Sequence, residues 1–188
     1  AHSISRDVPL GEGHDNIRLS WAGLEEVLAG GVASLPDVAT RPDTPGHRAW
    51  NSLDPDEIER DRERIEAGGS LPGQPAAVSE HARKRARDQL ATLGGGNHFI
   101  ELQRVESIDD QASADAFGLF VGQLLVMIHS GSRGLGHQVG GDYMAIAETM
   151  TRSLAPNKML CYLPADSPEG RRYIGAMNAA ANFAFANR

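Results

Sequence analysis

The sequence predicts an α+β protein: at least two buried strands, flanked by four or five helices, within one larger domain. Three observations carry this. Residues 98–105 alternate between two faces, with His98, Ile100 and Leu102 on one and Phe99, Glu101 and Gln103 on the other. Residues 120–128 are nearly all apolar, which reads as a strand covered on both sides and central in its sheet, with Leu125, Met127 and His129 sharing a face. Around these strands lie stretches with helical spacing and recognisable start signals.

In chain order, residues 7–14 are turn-rich and extended, and His14 and His47 sit in Gly/Pro/Asp surroundings that suggest solvated side chains. Ser20 caps a helix with Leu24, Val27 and Leu28 inward and Gly30-Gly31 as its stop. Residues 32–53, with Pro36, Pro42 and Pro45, read as a loop. Asp54-Pro55-Asp56-Glu57 starts a surface helix that reaches about Ala67 and stops at Gly68-Gly69. A linker, 70–75, leads to a helix capped by Ser79, with Ala82, Ala86 and Leu90 inward. His81, Arg83, Lys84, Arg85 and Arg87 cover its remaining surface, either as a solubilising face or as a contact for a polyanion. Residues 107–116 read as a polar loop. A further helix is expected after Gly140-Gly141 through Tyr143, Ile146, Met150 and Leu154. The last starts at Ser167-Pro168 with Tyr173, Met177, Ala180, Ala181 and Ala184 on one face. Both ends look cut, and Phe183 and Phe185 are expected to need whatever follows Arg188 for their packing.

Composition narrows the class. A chain of 188 residues that is 40% hydrophobic and 23% charged suits a folded protein. No apolar run approaches the roughly 20 residues that span a bilayer, and the start lacks the basic and apolar regions of a signal peptide. One cysteine, Cys161, excludes an internal disulfide framework and fits a reducing, cytoplasmic setting. A net charge of −7 argues against nucleic-acid binding by the whole surface but permits a local basic patch.

Two stretches carry chemistry. In Leu93-Gly94-Gly95-Gly96-Asn97-His98-Phe99-Ile100-Glu101-Leu102, a glycine turn offers bare amides to an anion beside an amide, an imidazole and a carboxylate. A triple glycine is also an ordinary helix stop. The second stretch, Met127-Ile128-His129-Ser130-Gly131-Ser132-Arg133-Gly134-Leu135-Gly136-His137-Gln138, delivers another histidine to the end of a strand, followed by a Ser/Gly/Arg turn. Two imidazoles are half a metal site, since zinc sites take about three or four protein ligands. His137, Asp142 and Cys161 are weak candidates to complete it, and Cys161 reads as a small apolar residue. The combination suggests metal-assisted phosphate chemistry.

These two stretches, in this order, resemble the RtcB family of RNA-splicing ligases. The resemblance extends over Ser79–Leu93 and Ser167–Arg188, and more loosely over residues 7–13; it is not traced over residues 30–75. It implies a β-rich core with flanking helices, of which residues 1–188 form a central, incomplete part of the catalytic domain. It implies GTP and manganese as cofactors. RNA ends with a 3′-phosphate or 2′,3′-cyclic phosphate are joined to 5′-hydroxyl ends through a GMP-histidine intermediate. The substrates would be tRNA halves or broken RNA, with an archease-type activating protein as partner and no membrane. By motif, His98 and His129 would be metal ligands. Asn97, His98, Phe99, Ile100 and Glu101 would line the GMP site, with Glu101 accepting from guanine. Ser132 and Arg133 would hold an RNA or nucleotide phosphate, and His137 would orient a neighbour. The family's Asp-x-Gly-Cys-Gly-Met segment lies upstream of this sequence, and a third histidine ligand and the guanylylated histidine lie downstream. No catalytic residue is therefore assigned here, and the segment alone is expected to be inactive. A guanine-nucleotide or RNA-binding module without catalysis is the alternative, and a hydrolase using His98, His129 and Asp142 is a third reading.

Overall fold

Polar side chains set one residue ahead of apolar spacing start most of the helices. The computed structural model describes residues 8–10, 16–154, 157 and 160–188; His14 and most of 7–13 lie outside them. The Ser20 hydroxyl accepts from the Gly23 amide at 2.9 Å and opens α1 (Trp21–Gly30), which buries Leu24, Val27 and Leu28. Asp54 accepts from the amides of Asp56 and Glu57 at the start of α3 (Pro55–Arg62). Ser79 caps α4 (Glu80–Ala86), and Ser167 caps α7 (Pro168–Asn187), with proline in its first turn.

Several expectations are corrected. The stretch 32–53 is not one loop. It holds α2 (Leu35–Thr40), which buries Leu35 and Val38 and places Pro36 in the first turn, where its missing amide costs nothing. Helix α3 ends before Ala67 and Gly68, both of which take positive φ. The polar loop 107–116 contains α5 (Gln111–Phe117), capped by Asp110. Hydrogen bonds from Ser113 hold that carboxyl below the usual carboxylate range. Helix α6 spans Arg133–Thr151 and runs through Gly140-Gly141 rather than starting after them. It buries Leu135, Val139, Tyr143, Ala147 and Thr151, while Ile146, Met150 and Leu154 face outward.

The sheet differs most. Strands β1 (Phe99–Arg104) and β2 (Leu124–His129) pair antiparallel, Phe99 opposite His129 and Arg104 opposite Leu124. Among the described residues this is a two-stranded sheet, so a β-rich core is not found there. Nor are the strands buried: Leu102 is 68% and Leu124 66% exposed. An apolar run records that a face is suited to burial. It does not supply the layer that would cover it.

The core is helical. Leu24, Val27 and Leu28 of α1, Ala82 and Ala86 of α4, Leu135 and Val139 of α6 and Ala176, Ala179 and Phe183 of α7 belong to one buried cluster. Phe183 is fully buried among the described residues, so its packing does not wait on anything beyond Arg188. No helix among them is long and apolar enough to cross a membrane.

Asn182, fully buried on α7, ties this body together. Its amide donates to the carbonyls of Leu28, Ala29 and Leu71, and its oxygen accepts from the Leu71 amide. Asn182→Ala leaves buried backbone groups unpaired, and urea unfolding should show a loss of about 2–4 kcal/mol.

Candidate active site

The register of the sheet brings the two histidines together. β2 ends at His129, directly opposite Phe99, and the two rings lie 5.1 Å apart. His98 sits one residue before β1, where the turn rather than strand alternation sets its direction. Its ring centroid is 6.0 Å from that of His129. Glu101 is exposed, two residues further along the Phe99 face, and accepts from the Gln103 side chain at 2.8 Å. Ile100 points the other way. It lines a cavity of about 190 Å³ with Thr92, Ile128, Ser130 and Asn187. Asn97 is exposed in the turn.

Arg133 reaches His98. Its Nη1 lies 3.0 Å from His98 Nδ1, its Nε donates to Thr92 Oγ1 at 3.0 Å, and its Nη2 donates to the Leu10 carbonyl at 3.3 Å. A guanidinium only donates, so Nδ1 of His98 accepts here and the ring proton sits on Nε2. Arg133 takes φ +54°, a conformation that costs a non-glycine residue about 1–3 kcal/mol. These hydrogen bonds offset that strain. The approach is possible because residue 94 is glycine. Gly94 has φ +103°, and a Cβ there would overlap both the guanidinium and His98 Nδ1. Nothing stands near Gly95 or Gly96, so the functional glycine of the three is the first. Ser132 precedes α6 without capping it by its side chain.

The loops bearing these residues are bolted to the helical body. Asn187, at the end of α7 and 8% exposed, donates to the carbonyls of Thr92 and Gly131 and to Ser130 Oγ. Its oxygen accepts from the Thr92 amide at 3.0 Å. Ser130 in turn donates to the Leu93 carbonyl at 2.7 Å. Thr92 and Asn187 were not singled out from the sequence. The available signal was a polar residue on the buried face of an apolar helix, in step with Ala176, Ala180 and Phe183.

The donor set fits part of a metal site. A metal about 2.0–2.1 Å from each imidazole nitrogen can lie between rings this close. No group of three His, Cys, Asp or Glu side chains able to hold a metal exists among the described residues. His98, His129 and Asp142 are therefore not a triad. Asp142 instead accepts from Ser79 Oγ (2.6 Å) and Gln138 Nε2 (2.8 Å). Cys161 lines a different cavity, of about 270 Å³, with Tyr143, Tyr162 and Tyr173, and His137 is exposed. His47 is engaged locally, where its Nδ1 accepts from the Ala49 amide at the start of a short 3₁₀ turn.

The cations of α4 are largely engaged within the chain. Arg83 pairs with Glu25, Lys84 with Glu80, and Arg87 stacks on Trp21 while donating to the Leu19 carbonyl. Arg85 reaches Gln138 beside the start of α6. This arrangement favours the solubilising reading of that face. Lys84→Ala should leave the thermal unfolding midpoint essentially unchanged, because both partners are solvent-exposed.

A sheet end that presents paired imidazoles, with an arginine at the start of a helix reaching one of them, has donors that suit a metal ion and a phosphate. Comparison with known proteins specifies it further. The family described as tRNA-splicing ligase RtcB matches residues 1–188, and the chain belongs to that family. A tRNA-splicing ligase RtcB of Pyrococcus furiosus is 44% identical over 191 residues, covering 99% of this chain and 18% of its own length. Those of Thermococcus kodakarensis and Nanoarchaeum equitans are each 42% identical, covering 99% and 100% of this chain and 36% of their own lengths. The chain thus spans about a fifth to a third of the curated relatives it matches.

Proposed function

We propose that this chain forms part of the active site of a GTP- and manganese-dependent RNA ligase. Such an enzyme joins a 3′-phosphate or 2′,3′-cyclic phosphate end to a 5′-hydroxyl end by way of a guanylylated histidine outside these residues. The observation that carries the reading is the convergence of His98 and His129 at 6.0 Å with Arg133 on His98. Membership of the RtcB family supports it.

In this reading His98 and His129 hold the metal, whose contribution is to neutralise charge developing on a phosphoryl group. With a metal bound, Nδ1 of His98 would be its ligand, and Arg133, which donates there now, would be placed with Ser132 to hold a phosphate. Glu101 accepts from the guanine N1 and N2 donors, and Asn97 faces the nucleotide phosphate. Phe99, on the same face as Glu101, forms the apolar wall beneath them, and Ile100 backs the strand from its opposite face. RNA ends, from tRNA halves or breaks, are the substrates, and an archease-type activator is a partner.

The test is ligation by the whole protein of RNA ends of each type, with GTP and manganese. His98→Ala and His129→Ala should each lower the rate at least about 1,000-fold, since several kcal/mol of charge stabilisation is lost. Joining restricted to 3′-hydroxyl and 5′-phosphate ends, or indifferent to His129→Ala, would rule the reading out. The isolated 188-residue chain should form no covalent adduct with labelled GTP. Guanine-selective binding without joining by the whole protein would instead favour a nucleotide-binding module.

A further inference from the structure

We infer that Asn187 is a positioning residue that sets the separation of the two histidine-bearing loops, and so the affinity of the metal site. The inference rests on the reading of His98 and His129 as ligands. It goes beyond that reading because Asn187 touches neither ring.

The two loops leave the helical body at different points. His98 follows a glycine turn that departs at Thr92. His129 leads into Ser130 and Gly131, which join the sheet to α6. Pairing of β1 with β2 holds the strands together, but two exposed strands are weakly held on their own. One carboxamide on the body holds both of them at once. Asn187 Nδ2 contacts the carbonyls of Thr92 and Gly131 at 3.0 Å each and Ser130 Oγ at 3.1 Å, while Oδ1 takes the Thr92 amide. One planar group therefore spans both loops, close in sequence to Gly94, His129 and Arg133. Thr92 passes the constraint on, because its Oγ1 accepts from Arg133 Nε while its own hydroxyl donates to the Gln89 carbonyl. Ser130 closes the circuit at the Leu93 carbonyl. The group is 8% exposed, so water competes poorly for these bonds. A carboxamide suits the position because it both donates and accepts, which neither aspartate nor leucine of similar size can do.

Helix α7 carries its own control. Asn182 is as buried as Asn187, makes as many hydrogen bonds and belongs to the same helix, but ties α1 to Leu71 rather than to the site loops. A merely structural role predicts the same consequences for both residues.

The experiment is a manganese titration of the whole protein, without nucleotide or RNA, read by the paramagnetic resonance of free Mn²⁺. His98→Ala and His129→Ala identify the binding event. Asn187→Ala and Asn187→Asp should weaken it by about 10–100-fold, the usual effect of removing an outer group that orients ligands. Asn182→Ala should leave it within about twofold while lowering the unfolding midpoint. If Asn187→Ala does not fold, Ser130→Ala decides: it deletes one hydroxyl of the same circuit and should weaken binding about three- to tenfold. Equal effects at positions 182 and 187, or no change at 187 and 130, would overturn the inference and leave the ligand reading standing. Binding indifferent to both histidine substitutions would remove the ligand reading, and this inference with it.

Discussion

Gly94→Ala should disable the site more completely than any change of comparable size elsewhere in the chain. At φ +103° an alanine is strained whatever surrounds it, and its methyl would also occupy the space through which Arg133 reaches His98. Relief requires that the arginine, the imidazole or the glycine turn move. Each movement displaces a group proposed to act on metal or phosphate. A shift of about 1 Å in such a group can cost about 100-fold in rate, so ligation by the whole protein should fall at least that far. Manganese affinity should fall with it, because the methyl would meet His98 as well as Arg133. The stability loss should be about 2–4 kcal/mol. Gly95→Ala and Gly96→Ala separate the causes. Neither meets an atom within 4 Å, and Gly96 but not Gly95 carries a positive φ. Gly95→Ala should be nearly silent and Gly96→Ala should cost stability but little activity. Full activity in Gly94→Ala would mean that the contact between Arg133 and His98 has no part in the reaction.

How much of this was legible in the sequence depends on what periodicity can report. The positions of the two histidines, one opening a strand and one closing another, were enough to place both at one end of a sheet; alternation alone puts them on opposite faces, and the glycine turn brings the rings together. Capping residues located the starts of α1, α3, α4 and α7, because a cap is a local hydrogen bond between residues close in sequence. The short helices α2 and α5 were missed because six or seven residues offer too little repeat to stand out from turn-forming neighbours. The extent of α6 was missed because glycines that usually end helices lie in its interior, and the helix is carried past them by the packing of its other residues against α4 and α7. The exposed sheet shows a different limit. Leu124, Val126 and Ile128 share a face with Ile100 and Leu102, as alternation requires. Which layer lies over that face is a long-range fact that no local pattern encodes. The same holds for Asn187, whose partners are 56 to 95 residues away in sequence. Its polarity on a buried helical face was visible; the two loops it joins were not.

Arg133 should behave differently from Gly94, because its substitution separates metal binding from chemistry. Arg133→Ala removes the donor at His98 Nδ1 without disturbing the backbone under it. Manganese affinity should therefore hold or rise, since the lone pair is released. The joining rate should nevertheless fall about 100- to 1,000-fold, the usual cost of losing one donor aimed at developing charge. Lysine should recover less than about tenfold of this, because one ammonium cannot reproduce the fork that meets Thr92, His98 and Leu10 together. Stability offers an independent check through the backbone. At φ +54° glycine is unstrained and alanine is not, so Arg133→Gly should be more stable than Arg133→Ala by about 1 kcal/mol in urea unfolding while being equally inactive. A site under this strain holds its conformation for the side chain it presents. If Arg133→Ala lost manganese as completely as His98→Ala does, the guanidinium would be supporting the ligand rather than competing for it, and the proposed transfer of Arg133 from imidazole to phosphate would be wrong.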